Sequence, residues 1–330
     1  MITPTFEEVS KLWYDDEIIG ICYSHENALK GTLKNLNSFL GIRKITEIEP
    51  KDINYVVTAL ARKNPNTNKP TAKKTLQLII RTAYRIFDYA IYHDWITKNP
   101  AKNKMKAIPK YAPKKKVNAI TKEERLLIED TEHRCQTAAL IMMYMGLRRG
   151  ELIALKWSDF NFGNKTAYIS HHAVLVDSNH FEVYSGTKTG NSRYVAIPDI
   201  LINKLKYEKD NSESEYVFSK KDGTMHTASS FDSAWKSFNN ALNYAYYIKC
   251  GGDTNQFDPK GYPKPISIKC HQLRHTYATL LYLSKTDMFL ASKLMGHASV
   301  QITLDIYTDL DNKYQALSIK NLNSFLSKAI

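Results

Sequence analysis

The sequence predicts a mainly α-helical protein of two domains: a small four-helix domain, then a larger, mostly helical one holding a small antiparallel β-sheet. Three observations lead there. Apolar residues recur at three- and four-residue steps in stretches opened by capping-box patterns. A Pro-containing, lysine-rich stretch, residues 102–116, separates two such regions. Between about residues 166 and 197 the helical pattern gives way to strand formers.

The first domain is expected over residues 1–101. Thr5-Phe6-Glu7-Glu8 fits a capping box, and Val9, Leu12 and Trp13 follow at helical spacing. Ser24 to Leu40 reads as a second helix stopped by Gly41, and Glu49-Pro50 opens a third that runs to about Arg62. Residues 63–70, rich in Asn and Pro, form a loop. A long helix from about Thr71 to His93 carries the stripe Leu76, Ile79, Ile80, Ala83, Tyr84, Phe87, Ile91 and ends before Asn99-Pro100. Its basic face includes Lys73, Lys74, Arg81 and Arg85. Solvation alone explains such a face as readily as DNA binding does.

The second domain is expected over residues 117–330, opened by the capping box Thr121-Lys122-Glu123-Glu124. Ala138 to Met145 reads as a buried helix, with Gly146 as its C′ glycine, and Gly150-Glu151-Leu152 begins another. Tyr168, Val174 to Val176, Val183-Tyr184 and Arg193 to Ile197 are strand segments, the last preceded by a turn at Gly190-Asn191. Helices resume from Ile200, and residues 251–265 are a Gly- and Pro-rich loop.

With 43% hydrophobic residues the chain has enough apolar material for a core. Its net charge of +13 points to an acidic partner, most commonly nucleic acid. Over half of that excess lies in seven lysines, Lys102, Lys104, Lys106, Lys110, Lys114, Lys115 and Lys116, with no acid among them. Such a stretch is either a solvated interdomain linker or one that lies along a phosphate backbone and releases its counterions. Cys22, Cys135, Cys250 and Cys270 show no C-x-x-C spacing, which argues against a zinc site or disulfide framework and fits a reducing cytosol. No signal pattern opens the chain, and the apolar run at 138–145 is too short to span a bilayer. A soluble cytoplasmic protein with no membrane partner is expected.

Two arginines, two histidines and a tyrosine suit one chemistry: gripping a phosphodiester while a phenol oxygen attacks it. Guanidinium groups stay charged and bind two phosphate oxygens at once. Arg148 stands at a helix junction within Gly146-Leu147-Arg148-Arg149-Gly150-Glu151-Leu152, and Arg149 competes with it, since only one of two neighbours can face a given site. Alone, an arginine there reads as neutralising helix-end carbonyls. His271 and Arg274 are three apart on an expected helix and share a face, whereas His275 points elsewhere and reads as structural. Lys188 lies in Gly186-Thr187-Lys188-Thr189-Gly190, between two strands, where it can swing into a groove and protonate a leaving oxygen. His297 follows Gly296 at a helix end, and Tyr307 follows Ile302, Leu304 and Ile306. Of 21 tyrosines, this one is distinguished only by its company. A phenol with a pKa near 10 needs cations or a base before it becomes a nucleophile.

These four boxes, in this order, resemble the tyrosine recombinase, or phage integrase, family, and are most similar to integrases of Gram-positive phages and conjugative transposons. The resemblance covers nearly the whole chain: the four-helix domain is similar to the family's core-binding domain and the remainder to its catalytic domain. It implies that Tyr307 attacks the scissile phosphate to form a 3′-phosphotyrosine and release a 5′-hydroxyl. Arg148 and Arg274 would hold the phosphate oxygens, Lys188 would protonate the leaving oxygen, His271 would move a proton and His297 would hydrogen-bond the phosphate. Glu151 would orient the site. It further implies double-stranded DNA recombination sites as partner, four protomers acting on two sites, a monomeric or weakly associated free protein, accessory DNA-bending or directionality factors, and neither metal nor nucleotide cofactor. Many members carry an arm-binding domain ahead of the core-binding one; this sequence begins at the latter, which leaves arm-site dependence open. The chain after Tyr307, with Leu317, Ile319, Leu322, Phe325 and Leu326, reads as an amphipathic helix packed on its own domain or on a neighbouring protomer. The alternatives are a DNA-binding regulator without catalysis, disfavoured because all six site residues are present, and a nicking–closing topoisomerase, disfavoured by the separate first domain. A metal nuclease lacks a carboxylate or histidine cluster in the sequence.

Overall fold

The computed structural model describes residues 3–114, 118–186, 192–253, 266–308 and 310. The chain divides into two compact units, residues 1–116 and 117–330. Among the described residues no helix is long and apolar enough to cross a membrane.

Four helices enclose the core of the first unit: α1 (Phe6–Glu17), α2 (Tyr23–Leu40), α3 (Pro50–Arg62) and α4 (Lys73–Tyr92). The expected capping box starts α1: the Thr5 hydroxyl accepts the Glu8 N–H at 3.3 Å, and the Glu8 carboxylate accepts the Thr5 N–H at 2.7 Å. Along α4, Leu76, Ile79, Ile80, Ala83 and Phe87 are buried as their spacing requires, with Phe87 packed on Phe6 at 5.5 Å between ring centroids. Tyr84 departs from the expected stripe and turns outward, while Ile86 is buried.

The segment expected as a linker is folded onto this unit through residue 114. Ala101 and Ala112 are buried in its core, and a 3₁₀ turn spans Lys104–Ala107. The Pro113 carbonyl accepts the Lys73 N–H at 2.9 Å, satisfying a donor that the start of α4 leaves without a helical partner. Lys115 and Lys116 lie outside the described residues.

The second unit begins with α5 (Lys122–Asp130), α6 (Gln136–Tyr144) and α7 (Arg149–Ala154). Every residue of α6 from Gln136 to Met143 is buried, which is why its sequence shows no polar face; it packs against α5, α7 and a later helix, α10 (Cys270–Leu283). After α6 the chain reverses at Gly146, where φ is +71° and a Cβ would come within 2.2 Å of the Tyr277 ring. The reversal delivers Arg148 to the N-cap position of α7.

The strands form the small antiparallel sheet expected and, beside it, a separate hairpin. β1 (Phe160–Asn161), β2 (Thr166–Ile169) and β5 (Arg193–Ala196) make an antiparallel sheet in the order β1-β2-β5, and β3 (His171–Leu175) pairs with β4 (Phe181–Ser185) as a separate hairpin. β4 and β5 therefore belong to different assemblies, and Lys188 and the expected turn at Gly190-Asn191, which fall between them in the sequence, lie outside the described residues. In β5, Arg193 and Val195 face inward and Tyr194 outward.

Helix α8 (Asp199–Asp210) is followed by α9 (Ala228–Lys249), whose asparagines act as a substitute strand edge. Asn243 donates to the Ile266 carbonyl at 2.8 Å and accepts the Ile266 N–H at 2.7 Å. One turn earlier, Asn239 accepts the Ile268 N–H at 2.6 Å and donates to its carbonyl at 3.3 Å. Residues i and i+4 of a helix thus pair with alternate residues of an extended segment, fixing the chain two residues before α10 starts. Beyond α10, α11 (Met288–Met295) starts at an Asp287 cap and ends at Gly296, whose φ of +60° is left-handed. A last helix, α12, covers residues 300–308. The described chain stops at residue 310, so the amphipathic pattern read after Tyr307 lies outside the described residues.

Asn243→Ala removes both partners of Ile266 at once. It should lower unfolding stability by about 2 kcal/mol in urea titrations, the cost of leaving buried backbone groups unpaired.

Candidate active site

The end of α11 leaves carbonyl oxygens without helical donors. The Gly296 and His297 N–H groups turn back to the Lys293 and Ser292 carbonyls. The next three carbonyls go to arginines, one each. Arg193 Nε donates to Leu294 O at 2.8 Å, Arg274 Nη2 donates to Met295 O, and Arg148 Nη2 donates to Gly296 O at 2.5 Å. Arg274 Nη1 also donates to the Gly146 carbonyl at 2.7 Å, which ties α10 to the turn after α6.

One carboxylate sits among these cations. Glu151 is 1% exposed and accepts Arg148 Nη1 at 2.6 Å, Arg193 Nη1 at 3.0 Å and Arg193 Nη2 at 2.8 Å; its Oε2 lies 4.0 Å from Arg274 Nη1. Burial alone would raise its pKa, but the hydrogen bonds and charges of Arg193 and Arg148 outweigh burial and hold it at about 2. Burial, then the charge of Arg148, pulls Arg274 down to about 9, still protonated at neutral pH. Three cations and one anion leave the cluster positive, with donors unspent on Arg148 and Arg274, as a site for a phosphate requires.

His297 follows the α11 terminus and pairs through Nδ1 with the Thr303 hydroxyl at 2.8 Å. Burial first, then the charges of Arg274, Arg148 and Arg193, push its pKa down to about 4, so it is neutral at pH 7. When the Thr303 hydroxyl donates into Nδ1, the ring proton sits on Nε2 and can be given to an oxygen. His271 is exposed on α10 and close enough for its charge to act on His297. Arg149, the rival of Arg148, is committed elsewhere: its guanidinium lies 4.5 Å from the Phe231 ring centroid and 3.3 Å from Asp232. His275 is half-buried, and its Nδ1 is buried without a partner among the described residues.

The structure therefore brings together Arg148, Glu151, Arg274 and His297, and His271 is exposed on α10, three residues before Arg274. Tyr307, on α12, is turned another way. Its hydroxyl donates to the Thr286 carbonyl at 3.5 Å, its ring meets Tyr282 edge-on at 5.2 Å, and burial, then Asp287 and Tyr277, raise its pKa to about 12. Arg193 is the member that the sequence reading passed over. Its alternation with Val195, an arginine on the inward face of a strand, was the available signal.

A second cationic region lies in the first unit. Arg81, Lys104 and Lys106 rim a cavity of about 660 Å³ floored by Ile80, Tyr84 and Met105. Arg85 also reaches it but is tied to Glu17 at 2.6 and 2.5 Å and lies over Trp13. Lys73 and Lys74 occupy the first turn of α4, and the Pro113 hydrogen bond brings Lys114 beside them. Lys102 lines a different cavity, and Lys110 is exposed. Among the described residues, no three His, Cys, Asp or Glu side chains are grouped to hold a metal ion.

Residues 110–313 match the model of the phage integrase family, and residues 6–107 match that of the phage integrase central domain. The chain belongs to the phage integrase family. A tyrosine recombinase XerC-like protein of Caldanaerobacter subterraneus subsp. tengcongensis is 27% identical over 280 residues, which span 76% of this chain and 66% of that protein. The fold is similar to the Tn1549 transposon integrase in complex with a circular intermediate DNA, at a TM-score of 0.72, 18% identity, and 91% and 94% coverage of the two chains. It is also similar to lambda integrase in a tetramer bound to a Holliday junction, at a TM-score of 0.61, 20% identity, and 90% and 78% coverage.

A histidine whose pKa is lowered on folding stabilises the protein above its unfolded value near 6.5, and that contribution is lost as pH falls toward about 4. His297→Gln should therefore flatten the decline of unfolding stability between pH 6.5 and 4. His226, buried and also held near 4, keeps its own share of the slope. Urea unfolding across that range measures the difference.

Proposed function

We propose that this integrase-family chain is a site-specific DNA recombinase that cleaves and rejoins duplex DNA through a 3′-phosphotyrosine, with Tyr307 as nucleophile. The observation that carries the reading is the convergence of Arg148 and Arg274 with neutral His297 at the end of α11, on the segment that leads to Tyr307. Two guanidiniums on one phosphate neutralise its charge and answer the further negative charge of the five-coordinate transition state.

The phenol first leaves the Thr286 carbonyl. A pKa of about 12 in that position makes it a poor nucleophile, and approach to the guanidinium pair stabilises its phenolate. The Tyr307 oxygen bonds to phosphorus as the bond to the 5′ oxygen breaks. The phenolic proton passes to His271 or water, and Lys188 supplies the proton of the departing 5′-hydroxyl. His297 donates through Nε2 to a non-bridging oxygen. Attack by a 5′-hydroxyl from another strand reverses the step, returns the proton to Tyr307 and exchanges strands. The phosphoester linkage is kept throughout.

Lys73, Lys74 and Lys114, with the Arg81–Lys104–Lys106 rim, are the sites where the first unit would meet the DNA backbone. Arg85 contributes less, since Glu17 already holds it. A tetramer on paired sites and the movement of a mobile element follow from likeness to the transposon and lambda integrases.

On a nicked suicide duplex carrying the cognate site, without added metal, the wild type should form a covalent protein–DNA product. Tyr307→Phe should form none, Arg148→Ala and Arg274→Ala should each slow its formation by about 100-fold or more, and Lys188→Ala should be rescued by a substrate with a 5′-thio leaving group. Product that persists in Tyr307→Phe sinks the assignment.

A further inference from the structure

We propose that Arg193 is a positioning residue for strand cleavage: by holding both oxygens of Glu151 it limits that carboxylate to one side-chain hydrogen bond with Arg148, keeps it off Arg274, and leaves their remaining donors to the scissile phosphate. This rests on the recombinase reading above. Among the described residues Glu151 is the one acid in this buried cluster of cations, and something must answer its charge. Three guanidiniums are within reach, but they engage it differently. Arg193 meets both oxygens, at 3.0 and 2.8 Å, in the fork geometry that matches a carboxylate. Arg148 meets one oxygen with its side chain, and Arg274 stands 4.0 Å away.

Committed donors separate the roles. The Arg193 and Arg274 side chains are both 4% exposed, but Arg193 spends three donors, two of them on Glu151, whereas Arg274 spends two, both on backbone carbonyls. Arg148 is 21% exposed and keeps donors to give. The Arg193–Glu151 pair is neutral, and two positive charges remain for a phosphodiester that gains negative charge in the transition state. If Arg193 were removed, the nearest cations to an ionised Glu151 would be the two that the phosphate needs, and the carboxylate would compete for them. The position is also sterically prepared: a Cβ on Gly296 would lie 2.9 Å from Arg193 Nη1, so the guanidinium fits because the helix ends in glycine. Lysine cannot reproduce the two-oxygen grip.

The test is a double-mutant cycle on the full chain: wild type, Arg193→Met, Glu151→Gln and the double variant, with Arg193→Lys as a milder probe. Two quantities are read: the rate of covalent product on the suicide duplex at saturating protein, and the dissociation constant for inorganic phosphate, followed by its effect on the melting temperature. Arg193→Met should slow cleavage about 100-fold and weaken phosphate binding about tenfold. Adding Glu151→Gln should recover at least tenfold in rate and most of the phosphate affinity, because the competing charge is gone. A double variant as impaired as Arg193→Met, or worse, overturns the proposal and leaves Arg193 a stabiliser of the fold; so does an Arg193→Met protein that matches the wild type. If Arg193→Met does not fold, Arg193→Lys with and without Glu151→Gln gives the same comparison. A wild type that forms no covalent product sinks the recombinase reading, while the phosphate arm still decides whether Glu151 competes for the arginines.

Discussion

The carbonyl oxygens of Leu294, Met295 and Gly296 end α11 without helical donors, and each receives a guanidinium from a different element: β5, α10 and α7. A helix C-terminus carries partial negative charge, and cations placed there are favoured. Here that ordinary preference is multiplied by three and used to assemble arginines that are far apart in the chain, with Arg148 148 positions from the carbonyl it caps. Their side chains lose their freedom when the protein folds, so little of that entropy remains to be lost when DNA arrives. The junction depends in turn on Gly146, whose carbonyl takes Arg274 while its bare Cα makes room for Tyr277.

Packing like charges together has a cost that the surrounding groups register. Arg274 is drawn down to about 9 and His297 to about 4, in both cases by burial and then by neighbouring cations. Glu151 offsets one charge and no more. The cluster is therefore electrostatically incomplete by itself, and an anion entering it relieves the repulsion instead of adding to it. Tyr307 is set apart from this arrangement on the Thr286 carbonyl, where acidic Asp287 opposes formation of the phenolate. The proposed nucleophile and the guanidinium cluster proposed to grip its phosphate are built on adjoining segments yet held in different electrostatic surroundings.

Local patterns were what the sequence revealed best. The Thr5 and Thr121 capping boxes, the α4 stripe and the unbroken apolar run of α6 each declare themselves within one or two helical turns. Arg148 and His297 were legible because each stands beside a glycine or a helix boundary, and Arg274 because it lies three residues after His271 on one helix face. The choice of Arg148 over Arg149 was not, since it turns on Phe231 and Asp232, some eighty residues away. Arg193 escaped for the same reason: its partner Glu151 is 42 positions upstream, and a single inward arginine in a four-residue strand is a faint signal. The division of the strands into a sheet and a hairpin depends on pairing partners, which strand propensity does not specify. The docking of the lysine-rich segment rests on two alanines and one backbone hydrogen bond, too little to stand out from charge.

The asparagine ladder of α9 has a consequence for how this fold can vary. Asn239 and Asn243 clamp the chain at Ile266 and Ile268, just before α10 begins. Whatever the chain does between the end of α9 and Ile266, the clamp resets its position before Arg274 is placed. That interval is thus mechanically insulated from the chemistry. A change of length there meets a fixed boundary at Ile266 and Ile268 before it can reach the guanidinium cluster.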